Sequence, residues 1–163
     1  METASPEPVP SYLHLRERLL RLQPDELDLS PTSTAPHVWG VLMETGYTVG
    51  IATLLSLADG TTSLYFSTGG GMLGSGDYPP VAEASKALVL QAENHLSQMA
   101  AVTEFPLPAV GQVRFSCLTY SAIRSAQAAE STLKSGNHPL SPLFVLGHKT
   151  LEQLRLSSEK VRR

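Results

Sequence analysis

The sequence predicts an α+β fold, a two-layer α/β domain whose five-stranded, mostly antiparallel sheet follows the order α-β-β-β-α-β-β-α. Three observations carry this expectation. Residues 37–68 alternate with the period of two that marks strands. Asp59-Gly60 interrupts that stretch as a two-residue hairpin turn needing positive φ. After a glycine-rich loop, and again near Pro139, the apolar period changes to that of helices.

Six of the twelve prolines lie at or before residue 36. They mark residues 1–10 as a disordered tail and 23–36 as a flexible proline-rich linker. Between them SYLHLRERLLRL (11–22) reads as an N-terminal helix capped by Ser11. Leu15, Leu19 and Leu22 form its apolar stripe, with Arg16, Glu17, Arg18 and Arg21 turned elsewhere. Residues 37–158 then form a single α+β domain, and 159–163 a frayed charged tail.

Within that domain HVWGVLMET (37–45) reads as a strand that stops at Gly46. TVGIATLLSLA (48–58) is apolar on both faces, which places it centrally and covered on both sides. TTSLYFST (61–68) returns as the third strand of a meander. The loop GGGMLGSGD (69–77) follows, with Asp77 as cap and Pro79 and Pro80 in the first turn of a helix over 79–100. QVRFSCLTY (112–120) and AIRSAQAAE (122–130) read as two further strands. Ser141-Pro142 opens a final helix over 142–158. No period of 20 to 50 residues repeats, which excludes solenoids and propellers.

The 163 residues fit one domain, and 42% hydrophobic against 17% charged content excludes wholesale disorder. No run approaches the roughly 18 to 20 apolar residues of a membrane span. The acidic, proline-rich start is unlike a secretory signal. A net charge of −3 argues against a nucleic-acid binder. Cys117 stands alone, so neither an internal disulfide nor a thiolate zinc site is available.

The glycine-rich loop is the feature that most resembles a functional motif. Gly69, Gly71 and Gly74 satisfy G-x-G-x-x-G between a strand and a helix. Against a dinucleotide site stand the late helix start at Pro79, the antiparallel meander before the loop, and the lack of an acid following Tyr120. No lysine or arginine occurs between Arg21 and Lys86, so a phosphate would meet Asp77 with no local cation. The loop therefore reads first as a connector, then as a contact with a partner chain, then as a small-ligand site. That site would comprise Ser67, Thr68, Gly69, Gly70, Gly71, Gly74 and Ser75. The five histidines are scattered without metal-ligand spacing, so no metal, cofactor or catalytic residue is assigned. His95 reads as a core or boundary residue, Cys117 as an inert core thiol, Trp39 and Tyr65 as packing, and Glu44 as a strand-end surface acid.

The element order resembles that of the class I type III secretion chaperones, which are small, acidic, cytoplasmic homodimers. It is also similar to the profilin-like group of roadblock and longin modules, and either likeness covers about residues 11–158. The phrase SLADGTTSLYFSTGGG has a bacterial character. The absence of a catalytic constellation and the low charge of the sheet point to a cytoplasmic, non-enzymatic protein-binding module: an adaptor, chaperone or regulator, with a protein partner and neither nucleic acid nor membrane. The low charge of the meander predicts a homodimer through the sheet or the final helix, where Gly147 permits close approach. The alternative is a small-ligand-binding or enzymatic domain built on residues 67–77.

Overall fold

In the computed structural model, which describes residues 6–74 and 78–161, the alternating stretches form one antiparallel sheet. The strands are β1 (Val38–Tyr47), β2 (Gly50–Leu57), β3 (Thr62–Phe66), β4 (Gly71–Gly74), β5 (Ala100–Val102), β6 (Gln112–Thr119) and β7 (Ile123–Ala129). The helices are α1 (Pro10–Leu20), α2 (Pro79–Glu93), α3 (Glu130–Lys134) and α4 (Ser141–Val161). The sheet order is β4-β3-β2-β1-β6-β7-β5, so β1 lies at its centre.

The sheet thus has seven strands where five were expected. The two additions are short edge strands, GMLG and AAV, with too few residues to display alternation. β5 begins at Ala100, the last residue assigned by sequence to the helix over 79–100. That helix stops at Glu93, and the chain makes a 3-10 turn at Leu96–Gln98. His95 pins the turn through Gln91 Nε2 at 3.0 Å and Gln98 Oε1 at 2.7 Å; its burial matches the expected core position. α3 was also unforeseen, whereas the strand expected over 122–130 and the final helix are present.

β1 does not stop at Gly46 but runs through it. A Cβ at Gly46 would lie 2.1 Å from the Ala109 carbonyl oxygen, so the missing side chain admits the 105–111 connection. The β2–β3 hairpin is present, with a longer turn than expected. Gly60 N–H donates to Leu57 O and Leu57 N–H to Thr61 O, and Gly60 alone takes positive φ, at +94°. That is a three-residue loop with a glycine bulge.

Both sheet faces are covered by the chain itself. On the front, Val41, Met43, Leu54, Phe115 and Cys117 pack under α2 and α4, which supply Leu88, Val89, Leu143, Phe144 and Leu154. On the back, Trp39, Leu42, Leu55, Leu57 and Leu118 meet Leu19, Leu20 and Leu22, then Leu27 and Leu29 of the segment read as a linker. A bulge between Val38 and Gly40 turns Val38 to the front and Trp39 to the back. β2 is central and covered on both faces, as its sequence indicated.

Two expectations about surfaces change accordingly. Among the described residues, the helices and the 21–37 segment cover the middle of both sheet faces. Gly147 serves the chain's own packing, because a Cβ there would lie 2.4 Å from Met43 Sδ.

Candidate functional site

Residues 67–71 form a hairpin turn instead of a strand-to-helix phosphate loop. Phe66 N–H donates to Gly70 O at 3.1 Å and Gly69 N–H donates to Phe66 O at 2.9 Å. Gly69 and Gly70 take φ of +107° and +78°, which any other residue adopts only under strain. The chain then returns as β4, where Gly71 must lack a side chain because a Cβ would sit 2.1 Å from Leu64 O. The hairpin uses the Gly69 amide, so this donor is not free for a phosphate.

The candidate ligand residues separate at this turn. Ser67 is buried, and its Oγ accepts the Ile51 N–H at 2.7 Å, which makes it structural. Thr68 is exposed. Gly69, Gly70 and Gly71 line a groove of about 270 Å³ with Tyr65 and Phe66 of β3 and Ser11, Tyr12 and Leu15 of α1. Gly74 ends β4, while Ser75 and the expected cap Asp77 lie outside the described residues. The groove walls are aromatic, aliphatic and main chain, with one serine hydroxyl and the phenols of two tyrosines.

One wall of this groove depends on how α1 is held. The buried stripe of α1 is Tyr12, Arg16 and Leu19, not Leu15, Leu19 and Leu22, and Arg16 points inward. Glu44 is likewise no surface acid: its side chain is fully buried on the back of β1. Arg16 Nε and Nη2 donate to the two Glu44 carboxylate oxygens at 2.7 and 2.8 Å. Arg16 Nη1 donates to Phe105 O at 2.8 Å. Thr53 O–H donates to Glu44 Oε2 at 2.8 Å, and Tyr12 O–H donates to Thr53 Oγ1 at 2.7 Å.

Every member of this network is partnered, as burial of polar groups requires. Burial and then the nearby Glu44 charge push the Tyr12 hydroxyl up to about 12. For Arg16, burial opposes the charge, but the hydrogen bonds and charge of Glu44 outweigh it and hold the guanidinium above its ordinary value. The network therefore clamps α1 on the back of the sheet.

Cys117 is fully buried on the front, and burial raises its thiol to about 12, consistent with an inert core residue. Trp39 is buried in the back core. Among the described residues no three histidines, cysteines or acids could jointly hold a metal ion. No described helix is long and apolar enough to cross a membrane.

Sequence reasoning missed Tyr12, Arg16 and Glu44, although a signal existed for each. Tyr12, Arg16 and Leu19 also follow i, i+4, i+7, and Glu44 is in phase with buried Leu42. No protein-family model, curated protein or solved structure matches the chain.

Proposed function

We propose that the chain is a non-enzymatic protein-binding module, a cytoplasmic adaptor, chaperone or regulator, that receives an apolar segment of a partner between α1 and the β3–β4 hairpin. The observation that carries this reading is the groove lining. Leu15, Tyr65 and Phe66 offer apolar area with no carboxylate, amine or imidazole, and three glycines bring main chain to the surface. Such walls suit aliphatic or aromatic anchors of a peptide better than a polar substrate. β4 ends the sheet order beside this groove, which suits a partner segment that pairs as an added strand.

Selection of displayed peptides on the full chain tests the reading. Sequences with apolar anchors should be enriched, and the partly exposed Phe66, changed to Lys, should abolish their binding while leaving the fold intact. Enrichment that survives Phe66→Lys contradicts this location. Saturable small-molecule binding in the groove, without peptide enrichment, favours the ligand-binding alternative.

The reading includes a homodimer through the final helix. Val145 on α4 is 61% exposed, an apolar side chain on the final helix that supports a two-fold contact there. Val145→Asp should convert a dimer to a 17.5 kDa monomer in sedimentation equilibrium. A wild-type monomer at micromolar concentration contradicts this part of the reading.

A further inference from the structure

A second cleft, of about 320 Å³, lies at the other end of the strands from the α1 groove. It is lined by His37, Leu96, Ser97, Thr119, Ser121 and Arg124. The strand register brings these residues together: Val38 pairs with Thr119 where β1 begins and β6 ends, and Ile123 pairs with Leu118 where β7 begins. From this arrangement the geometry points to a binding site for one oxyanion group, phosphoryl or carboxylate, carried by a small molecule.

Arg124 is the centre of the argument. It is half-buried, and its Nη1 donates to Leu96 O at 3.4 Å and Met99 O at 3.1 Å. Those carbonyls fix the guanidinium in place without neutralising it. No carboxylate pairs with Arg124 among the described residues. Two of its five N–H donors are used this way, which leaves Nε and Nη2 in a fork suited to two oxygens of an anion. A strut for two carbonyls needs donors but no charge; an oxyanion needs both.

Glu93, the acid bonded to His37, is not among the residues lining the cleft, and both its oxygens are hydrogen-bonded. Glu93 Oε1 accepts the N–H groups of His37 and Val38, each at 2.7 Å, and Oε2 accepts His37 Nδ1–H at 3.1 Å. With its proton on Nδ1, the neutral His37 ring turns Nε2 to the cleft as an acceptor, so it reports on the site and does not donate to the anion. Thr119 supplies wall only, because its hydroxyl donates to Ala122 O and accepts the Ala122 N–H. The exposed hydroxyls of Ser97 and Ser121 complete the donor set. The volume lies at the lower end of small-molecule sites, about 300 to 1,000 Å³, which favours a compact ligand over a polymer.

The test is an NMR titration of the full chain at constant ionic strength, with inorganic phosphate in one arm and acetate in the other. The reporter is the His37 ring resonance, assigned by its loss in His37→Gln. A saturable shift in either arm, lost in Arg124→Gln, is the expected result; the arm that saturates identifies phosphoryl or carboxylate. Combined Ser97→Ala and Ser121→Ala, at two exposed positions, should weaken binding about tenfold, and keeps the test valid if Arg124→Gln does not fold. A shift that merely tracks sodium chloride in both arms overturns the site. So does saturation unchanged in both variants.

Discussion

The two faces of one sheet are held in different ways. On the front, α2 and α4 bury aliphatic and aromatic side chains against β1, β2 and β6. On the back, a single helix of 11 residues, joined to β1 by residues 21–37, buries only Tyr12, Arg16 and Leu19. One of those three is a charge paired with a fully buried carboxylate. The front rests on apolar contacts from two long helices. The back has its own apolar cluster, but α1, and with it one wall of the proposed binding groove, is held by a few specific contacts.

The largest expected effects separate the two modes. Glu44→Ala leaves Arg16 buried without its carboxylate and should cost about 3–5 kcal/mol in urea denaturation. Phe115→Ala on the front should cost a similar amount, about 3–5 kcal/mol, through its cavity. Rescue distinguishes them: adding Arg16→Met to Glu44→Ala should recover much of the loss, because the orphaned charge is gone. Arg16→Met should do nothing for Phe115→Ala.

Alkali sharpens the contrast next. The Tyr12 hydroxyl is raised to about 12, so the folded state keeps a proton that the unfolded state releases above its ordinary value of 10.0. Stability contributed by Tyr12 is therefore complete below pH 10 and is lost as pH rises towards 12, by about 2 kcal/mol. Cys117 on the front responds in the same direction. The difference between wild type and Tyr12→Phe in pH-dependent melts isolates the back.

The glycine hairpin offers smaller effects. Gly71→Ala drives a Cβ against Leu64 O and should cost about 1–3 kcal/mol through backbone shift. Gly70→Ala meets nothing within 4 Å, and only its φ of +78° opposes it. It should cost about 1 kcal/mol in the same melts. Equal costs at the two positions would contradict the described turn.

The smallest effect lies on the front. His148 meets Phe144 with ring centroids 4.3 Å apart and the rings tilted by 53°, and burial lowers its pKa below 6.5. The unfolded state then binds the proton more readily, so stability falls as pH drops through 6.5. His148→Leu should flatten the melting temperature between pH 7.5 and pH 5.

The two glycine hairpins show where the sequence was legible. Both turns share one design, a three-residue loop whose third residue is a glycine at positive φ, with Gly70 also at positive φ in the second. Asp59-Gly60 was readable because long alternating strands flank it. Thr68-Gly69-Gly70 was not, because the returning strand GMLG has two glycines and no alternation, so a phosphate loop competed for the same letters. The central strands and both long helices were legible from periodicity. β5 was hidden because its three residues, AAV, are too few to show alternation. The α1 clamp was hidden for another reason: burial of Arg16 is set by a carboxylate 28 residues away, and composition alone favours placing arginine in water. The groove depends on that clamp and so was equally invisible.

The central claim is that α1 is a separately held cover whose docking rests on the Arg16–Glu44 pair. Native-state hydrogen exchange on the full chain, followed across low urea concentrations, tests it most directly. The account predicts that residues 10–20 exchange through an opening well below the global unfolding free energy. Glu44→Gln should lower that opening further while β6 amides exchange only on global unfolding. If α1 amides exchange only together with β6 in both proteins, the back face is not a separate unit and the account is contradicted.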